Sequence, residues 1–224
     1  MRNFWGWLGE RMTAFRMWLF LDAHIYQRRH NIIIPSSNGT TQIDHLIVSA
    51  FGIFIVETKN IKGWIFGSYN QSHWTQLLFG NKYKFQNPIR QTFRQRKVLA
   101  EYLDINEMLI HTVIFFVGSC EFKTHLPSNV INANLTSHIK NYYSQLLSPE
   151  EVNVVLDKID KLRLDPALTT KKHVQSLRDR YNSTTNCPKC GGNLVERTTT
   201  RGYGANSTFL GCTSYPRCRF TKSI

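Results

Sequence analysis

The sequence predicts an α/β domain followed by a small metal-stabilised domain, and three observations support this organisation. Two apolar runs rich in β-branched and aromatic residues, residues 43–48 and 53–56, flank a short break that contains Gly52, as in a β-hairpin. Residues 111–117 (HTVIFFV) form a near-continuous apolar run, which is typical of a central buried strand. Four of the five cysteines lie between residues 187 and 218. Clustered cysteines in a short segment indicate a metal site.

The composition favours a polyanionic partner. The chain of 224 residues has a formal net charge of +13 and an isoelectric point of about 9.7. Residues 171–224 contain ten of the 28 basic residues and only two of the 15 acidic ones. Nucleic acid and an anionic membrane surface both fit this balance. The cysteine pattern does not resemble a secreted disulfide framework, so we expect a reducing compartment, the cytoplasm, with nucleoid association if the source is bacterial.

Residues 4–22 are predicted to form a buried or interfacial helix. Its apolar stripe follows i, i+4, i+8, i+11 spacing at Phe4, Leu8, Met12, Phe15 and Leu19. Charged residues interrupt the segment, so we expect neither an integral membrane segment nor a signal peptide. A basic helix lying on a membrane surface is the alternative.

Glu10 is a single carboxylate in the second apolar line of this helix, opposite the first stripe. A carboxylate in such a place is costly unless it is paired or linked to a metal. The alternative is an ordinary glutamate near the positive end of the helix dipole.

The remaining elements follow from local signals. Residues 27–30 read as a loop, and residues 31–35, 63–67, 74–79 and 129–132 read as short strands. Asn87-Pro88 starts a helix that runs to about residue 103, with Asn as the N-cap. Residues 135–147 are predicted to be helical. Ser148-Pro149-Glu150-Glu151 is a capping box that opens a helix to about residue 162. Asp165-Pro166 opens a last helix to about residue 180. Residues 182–186 read as a linker.

Lys82 and Lys84 alternate with the aromatic residues Tyr83 and Phe85. This interleaving suits contact with nucleic acid. It is equally usual in an edge strand, where lysines discourage pairing with another chain.

The predicted hairpin brings two carboxylates and a lysine together. If Ala50 and Phe51 form a two-residue turn, Asp44 lies opposite Glu57, and the strand period of two puts Lys59 on the same face as Glu57. Two facing carboxylates repel each other unless a hard divalent cation neutralises them. With a lysine to hold water or phosphate, these are the parts of metal-assisted phosphodiester hydrolysis. An ordinary ion-pair set on a surface hairpin is the alternative.

The motifs of this region resemble a known family. Ile43-Asp44-His45, residues 52–59 (GIFIVETK) and Gly63-Trp64, with Gly9-Glu10 upstream and Trp74 and residues 87–91 (NPIRQ) downstream, resemble the core of the NERD (nuclease-related) domain. That family belongs to the PD-(D/E)XK, or restriction-endonuclease-like, superfamily. The resemblance implies a central mixed β-sheet flanked by helices in residues 1–182, with a motif core at 9–104 and a helical extension at 134–180.

The resemblance also implies roles for individual residues. Asp44, Glu57 and the carbonyl of Thr58 would hold Mg²⁺ or Mn²⁺, and Lys59 would position or help to activate the attacking water. Glu10 and Gln91 would complete the site from two helices.

A solvated basic helix is the alternative interpretation of the segment that contains Gln91. The basic residues of that helix that we expect to contact DNA are Arg90, Arg94 and Lys97.

The C-terminal segment, residues 183–224, is predicted to bind one structural Zn²⁺. Cys187 and Cys190 form a CxxC pair, and Cys212 and Cys218 supply a second pair, so four thiolates can surround the ion tetrahedrally. A segment of about 40 residues cannot build an adequate core alone, so the metal is a plausible determinant of its fold. Disulfides or a redox-active CxxC are the alternatives.

This segment resembles the C-terminal zinc ribbon of type IA DNA topoisomerases. The matching motifs are residues 187–192 (CPKCGG), 209–212 (FLGC) and 215–218 (YPRC). The resemblance implies DNA binding, commonly to single strands. Candidate contacts are Arg197, Arg201, Arg217 and Arg219.

The combined prediction is a Mg²⁺-dependent deoxyribonuclease that a zinc ribbon helps to bind DNA. The first alternative is a nucleic-acid-binding module with an inactive nuclease fold, and the second is a membrane-surface or interaction protein. The sequence has no Walker A pattern, so we expect no ATPase activity in this chain. It leaves open the preferred DNA structure, protein partners in DNA processing and the oligomeric state.

Overall fold

The structure is a computed structural model that describes residues 4–37, 39–188, 192–199, 207–216 and 218–223. The chain folds as two compact units. One comprises Met1–Ile34 and Gln42–Asp165, and the other comprises Pro35–Thr41 and Pro166–Ile224. The domain division after residue 182 stays a prediction.

Five α-helices and twelve strands are described. The helices are α1 (Phe4–Phe20), α2 (Pro88–Leu103), α3 (Leu135–Lys140), α4 (Pro149–Leu164) and α5 (Thr170–Asn182), with a short 3₁₀ helix at Glu107–Leu109. The strands are β1 (Gln27–Ser36), β2 (Gly39–Ser49), β3 (Gly52–Lys59), β4 (Gly63–Phe66), β5 (His73–Leu78), β6 (Asn81–Gln86), β7 (Ile110–Phe116), β8 (Cys120–Phe122), β9 (Val130–Ile131), β10 (Leu194–Thr198), β11 (Thr208–Cys212) and β12 (Thr221–Ser223).

A mixed five-stranded sheet with the order β1-β2-β3-β7-β9 forms the centre of the first unit. Strand β3 pairs antiparallel with β2 and parallel with β7. Ser49 pairs with Gly52, so the predicted two-residue hairpin turn is confirmed. The predicted α/β class with a mixed central sheet flanked by helices is also confirmed.

The two faces of this sheet are covered by different helices. Phe54 and Val56 pack with Met17 of α1 and Ile139 of α3 in one buried cluster. Because strand side chains alternate, Glu57 points to the opposite face. That face carries α2, whose Ile89 packs in a second buried cluster.

The second sheet of this unit has four strands in the order β6-β5-β4-β8. Its inner face contributes Ile65 and Trp74, both fully buried, to the cluster that contains Ile114, Phe116 and Ile89. The sheet therefore packs on the same side of the central sheet as α2.

Helix α1 leaves most of the first apolar stripe exposed. Its buried positions are Gly9, Thr13 and Met17, followed by Leu21, whereas Met12, Phe15 and Leu19 of the predicted stripe are exposed. The large buried residues, Met17 and Leu21, belong to the second apolar line, and Gly9 permits a close approach on the buried side. A Cβ on Gly9 would lie 2.7 Å from the Cβ of Asn60. No helix in the described part of the chain has both the length and the apolar character needed to cross a membrane.

Three other local predictions met different outcomes. The capping box is confirmed, since Ser148 Oγ accepts from the Glu151 backbone N–H and the Glu151 carboxylate accepts from the Ser148 N–H. Residues 27–30, predicted as a loop, belong to β1, where Arg29 makes a bidentate ion pair with Asp160 at 2.6–2.7 Å. The last helix begins at Thr170 with Thr169 as its N-cap, four residues later than predicted.

The second unit contains α5 and a three-stranded antiparallel sheet with the order β10-β11-β12. His173 of α5 contacts the Thr40 hydroxyl at 2.7 Å, and Arg180 donates to the Thr40 carbonyl at 3.1 Å. Lys222 donates to the carbonyls of Asn182 and Ser183. The C-terminal strand is thereby tied to the end of α5.

Candidate functional site

The Glu57 carboxylate lies at the centre of a buried polar network. Its side chain is 2% exposed. Oε1 accepts hydrogen bonds from Lys59 Nζ at 2.5 Å and Gln91 Nε2 at 2.8 Å, and Oε2 accepts one from Gln95 Nε2 at 2.9 Å. A buried carboxylate is tolerated when it is paired and hydrogen-bonded in this way. Strand β3 and helix α2 thus bring together four polar groups in an otherwise apolar region.

Lys59 and Gln91 complete a closed triangle with Glu57. Lys59 Nζ also donates to Gln91 Oε1 at 3.0 Å, so the Gln91 amide accepts from the lysine and donates to the carboxylate. Only one orientation of the amide satisfies both bonds. The Lys59 side chain remains 21% exposed and Gln91 is also only partly buried, so both can meet an incoming ligand, whereas Glu57 is buried.

Asp44 lies beside this network on β2. The ladder between β2 and β3 ends with the pair of His45 and Val56, and Asp44 and Glu57 are the next residues beyond this pair on their strands. Asp44 Oδ2 accepts a hydrogen bond from the Thr58 backbone N–H at 3.1 Å. The half-buried Asp44 carboxylate is therefore held at the end of the hairpin that carries Glu57.

Glu10 lies on α1, which approaches the central sheet from a different side than Glu57 does. Helix α1 packs on the face of the central sheet that carries Phe54, whereas Glu57 points to the other face. The contact of Gly9 with Asn60 does place this part of α1 at the end of β3. Among the residues that the structure describes, no three carboxylates have oxygen atoms within 4.8 Å of one another. A role for Glu10 stays a prediction.

Gln95 is the contact that the sequence analysis did not assign. The side chain is buried, and its Nε2 donates to the Glu57 carboxylate at 2.9 Å and to the Gln42 backbone carbonyl at 2.8 Å. Its Oε1 is buried and makes no hydrogen bond with the described residues. The sequence feature that could have identified Gln95 is its spacing of four residues from Gln91, which puts both amides on one helix face.

The donor set fits a hard divalent cation. Asp44 and Glu57 offer carboxylate oxygens, and an ionised carboxylate has about four acceptor positions, of which Glu57 uses three. The Thr58 hydroxyl is buried and also makes no hydrogen bond with the described residues. Mg²⁺ and Mn²⁺ are bound by one or two carboxylates, with water and phosphate oxygens completing the shell.

The predicted DNA contacts on α2 are already engaged within the protein. Arg90 donates to the Asn70 carbonyl at 2.5 Å, and Lys97 pairs with Glu107 at 3.1 Å. Arg94 is half-buried, and this burial lowers the pKa of its guanidinium below the ordinary arginine value. DNA binding by Arg90, Arg94 and Lys97 stays a prediction.

Three cysteine sulfurs form a compact cluster in the second unit. The Sγ atoms of Cys187, Cys212 and Cys218 all lie within 4.8 Å of one another, and all three residues are buried. Cys187 Sγ and Cys218 Sγ are 3.7 Å apart. Four thiolates around zinc, each bonded at about 2.3 Å, have sulfur–sulfur separations of about 3.8 Å. The cluster therefore has the dimensions of a zinc–thiolate site, and the 3.7 Å separation rules out a disulfide between Cys187 and Cys218.

The surroundings of the cluster are those of a metal knuckle. The Ser214 backbone N–H points to Cys212 Sγ at 3.4 Å, and Cys187 N–H donates to the Gly192 carbonyl at 2.6 Å. Arg197 and Arg219 are exposed on the ribbon. Three predicted residues, Cys190, Arg201 and Arg217, lie outside the described residues.

Comparisons with known proteins agree with both parts of the chain. Residues 5–117 match the family model described as the nuclease-related domain, NERD, and residues 184–224 match the topoisomerase DNA-binding C4 zinc finger. An uncharacterised protein of Bacillus anthracis is 32% identical over 182 residues, which cover 79% of this chain and 85% of that protein. DNA topoisomerase 1 of two Helicobacter pylori strains is 24% identical over 102 residues, which cover 42% of this chain but only 13% of the topoisomerase. No solved structure matches the chain.

Proposed function

We propose that this chain, which belongs to the nuclease-related domain (NERD) family, hydrolyses DNA phosphodiester bonds with Mg²⁺ or Mn²⁺ at the network around Glu57. The observation that carries the proposal is the buried Glu57 carboxylate, which Lys59, Gln91 and Gln95 contact at once. A buried ion pair is weak evidence for stability, because apolar residues of similar volume usually serve as well. A charged network at the end of an apolar hairpin is therefore better explained by chemistry.

Each residue has a distinct part in the proposed reaction. Asp44, Glu57 and the Thr58 carbonyl would hold the cation, which when bound lowers the pKa of water and stabilises charge on the phosphate. Lys59 would hold the attacking water or a phosphate oxygen with the ammonium that now contacts Glu57 and Gln91. The Gln91 amide keeps that ammonium in place without adding a negative charge that would repel the phosphate. Glu10 is proposed to contribute from α1.

DNA would be held by the arginines and lysine already named on α2 and by the zinc ribbon. The ribbon belongs to a class described as DNA-binding, and its exposed Arg197 and Arg219 suit phosphate contacts. The cytoplasm is the proposed location, because a zinc–thiolate site persists in a reducing compartment.

A cleavage assay tests the proposal. The purified chain, with Mg²⁺ or Mn²⁺, should cut at least one of linear, supercoiled and single-stranded DNA. Asp44→Asn, Glu57→Gln and Lys59→Ala should each abolish cleavage while largely sparing DNA binding. The three losses should not add, because the residues act as one unit. Lys140→Ala removes an exposed lysine on α3 and serves as the matched control, which should cut like the unaltered protein.

A catalytically inactive DNA-binding module is the second candidate, and one observation favours it. Lys59 already neutralises Glu57 at 2.5 Å, so the network is complete as an ion pair. Calorimetric titration with Mn²⁺ separates the two candidates. If the unaltered protein binds Mn²⁺ no better than an Asp44→Asn/Glu57→Gln double variant, and neither cuts any DNA form, the inactive module is correct.

A further inference from the structure

The outer face of the four-stranded sheet carries a row of aromatic and basic side chains that the proposed centre does not use. The register pairs Trp64 with Leu77 and Leu77 with Lys82 across β4, β5 and β6. The next row pairs Phe66 with Thr75 and Thr75 with Lys84. Because directly paired residues share a face of the sheet, these six side chains lie on one surface, which we call the outer face.

This surface is open, in contrast to the opposite one. Ile65 and Trp74, on the inner face, are fully buried against the central sheet and α2. On the outer face, Trp64 is 47% exposed and Phe66 is 36% exposed. Two large aromatic side chains at the middle of a sheet therefore remain available to a ligand.

Ammonium groups border the aromatic pair on both sides. In the order β6-β5-β4-β8, the aromatic residues are on β4, Lys82 and Lys84 are on the edge strand β6, and Lys123 directly follows the other edge strand, β8. Lys123 Nζ lies 4.4 Å from the centroid of the Trp64 ring and also pairs with Glu121 at 2.5 Å. Edge lysines alone would serve only to discourage strand pairing. Here Lys123 lies over the Trp64 ring, and Lys82 and Lys84 share the outer face with the aromatic pair across one intervening strand, which indicates a ligand with both anionic groups and flat apolar surfaces.

We propose that the outer face binds single-stranded DNA, with bases stacked on Trp64 and Phe66 and phosphates paired with Lys82, Lys84 and Lys123. Bases in a single strand expose the aromatic faces that a duplex keeps stacked, and sheets that present aromatic and basic residues together bind such strands. Trp64 follows Lys59 by five residues, so their Cα atoms are at most about 18 Å apart. The inference deepens the proposed function, because a strand held here could continue to the Glu57 network, but the binding itself requires no cleavage.

Photocrosslinking to the full chain tests the contact directly. The probe is a 12-nucleotide oligo(dT) in which single positions carry 5-bromodeoxyuridine, mixed with the protein without added divalent cations. Crosslinked peptides identified by mass spectrometry should contain Trp64 or Phe66. Crosslinks confined to the zinc ribbon would overturn the proposal.

Binding measurements with matched variants provide the second arm. Stacking on one aromatic side chain typically changes affinity by about 5- to 150-fold, so Trp64→Ala should weaken oligo(dT) binding within or near that range in fluorescence anisotropy. Trp64→Phe should retain most of the affinity, because it keeps an aromatic ring, whereas Trp64→Leu should not. Phe79→Ala removes a 94% exposed aromatic residue in the turn between β5 and β6 and should bind like the unaltered protein.

The remaining outcomes are each decisive. If Trp64→Ala weakened the binding of duplex DNA of the same length equally, the assignment to single-stranded DNA would be overturned. A loss of affinity for oligo(U) but not for oligo(dT) would overturn it too. If Trp64→Ala bound DNA normally but no longer formed a dimer, the surface would be assigned to a second copy of the chain. If it bound DNA normally but no longer bound vesicles of anionic lipid, the surface would be assigned to a membrane. If the protein cuts no DNA but gives the expected crosslinks and variant affinities, the proposed nuclease activity fails and the proposed binding surface stands.

Discussion

At the scale of single residues, the most consequential interaction is the one between Glu57 and the two amides of α2. Gln91 and Gln95 hold the two oxygens of one buried carboxylate from successive turns of the helix. Two neutral donors can fix the carboxylate rotamer without removing its negative charge, which a ligand can then use. The two amides therefore make the carboxylate rigid, while Lys59 supplies its counter-charge.

Replacement of Gln95 should destabilise the fold. Gln95→Leu removes the donor to Glu57 Oε2 and a donor to the Gln42 carbonyl, and an unsatisfied buried acceptor costs about 1–3 kcal/mol. Urea unfolding should show that loss in the free energy of unfolding. Gln175→Leu, at an exposed glutamine of α5, is the control and should change stability by less than about 0.5 kcal/mol. Equal stabilities for the two variants would mean that the Gln95 bonds contribute nothing to the fold.

Acid should destabilise the protein through buried histidines. Burial, reinforced by Arg28, Arg163 and Arg29, lowers the pKa of His30 below its ordinary value of 6.5. The unfolded chain then binds a proton more readily than the folded one, so the stabilisation is complete above the unfolded pKa and is lost as pH falls through the folded pKa. The urea midpoint should therefore be lower at pH 5.5 than at pH 7.5.

His30→Gln isolates the contribution of that residue. The His30 ring contacts His45 through its Nδ1 atom at 2.8 Å, and a glutamine can supply a donor or acceptor without titrating near neutral pH. The variant should show a smaller difference between the two midpoints, whereas His125→Gln, at an exposed position, should not. Burial also lowers the pKa of His111, His138 and His173, so part of the pH dependence should remain.

At the scale of elements, the zinc ribbon depends on its metal more than on its apolar core. Among the residues of the ribbon that the structure describes, the buried cluster consists of two leucines and three cysteines, with Phe220 packed against them. Structural zinc in such sites has an apparent binding free energy of about 10–16 kcal/mol, which is far more than two leucines contribute.

Loss of one cysteine ligand should unfold the ribbon and leave the first unit folded. Cys212→Ser should reduce the zinc content, measured by elemental analysis, from about one atom per chain to much less. All five tryptophans lie at or before residue 74, so tryptophan fluorescence should keep its native spectrum and midpoint.

Cys120→Ser is the matched control for this experiment. Cys120 belongs to the first unit, where burial raises the pKa of its thiol to about 11. This variant should retain its zinc. If Cys212→Ser also retained a full zinc content, the proposed ligand set would be incorrect.

At the scale of the whole molecule, the positive charge is distributed unevenly along the chain. Residues 183–224 contain six basic residues and one acidic residue. Phosphate neutralisation by such residues releases counterions, which makes DNA affinity depend on salt. The C-terminal segment should therefore account for much of the salt dependence of DNA binding.

Removal of residues 183–224 should make the plot of log affinity against log salt concentration less steep. Each lost phosphate contact removes about 0.9 from the slope on duplex DNA. Arg219→Ala in the full chain, which removes one exposed guanidinium, should lower the slope by at most about that amount. An unchanged slope after truncation would show that the charge of this segment serves another partner.

The sequence alone determined those features that depend on neighbouring residues. The hairpin register follows from a two-residue turn and the strand period of two, which placed Asp44, Glu57 and Lys59 together at one end. The capping box fixed the start of α4 because both of its hydrogen bonds join residues three positions apart. The cysteine spacing likewise predicted the metal cluster.

Only the tertiary structure decided which distant segments meet. Gln95 became part of the network because α2 packs on the face of β3 that carries Glu57, and no local pattern specifies that packing. The packing of α1 brings Gly9 against Asn60, where a Cβ would not fit, and buries Met17 and Leu21 rather than the first apolar stripe. Side chains alternate along a strand, so the sequence gives the two faces of the second sheet but does not say which face is covered. Trp64 is exposed because the opposite face packs on the core.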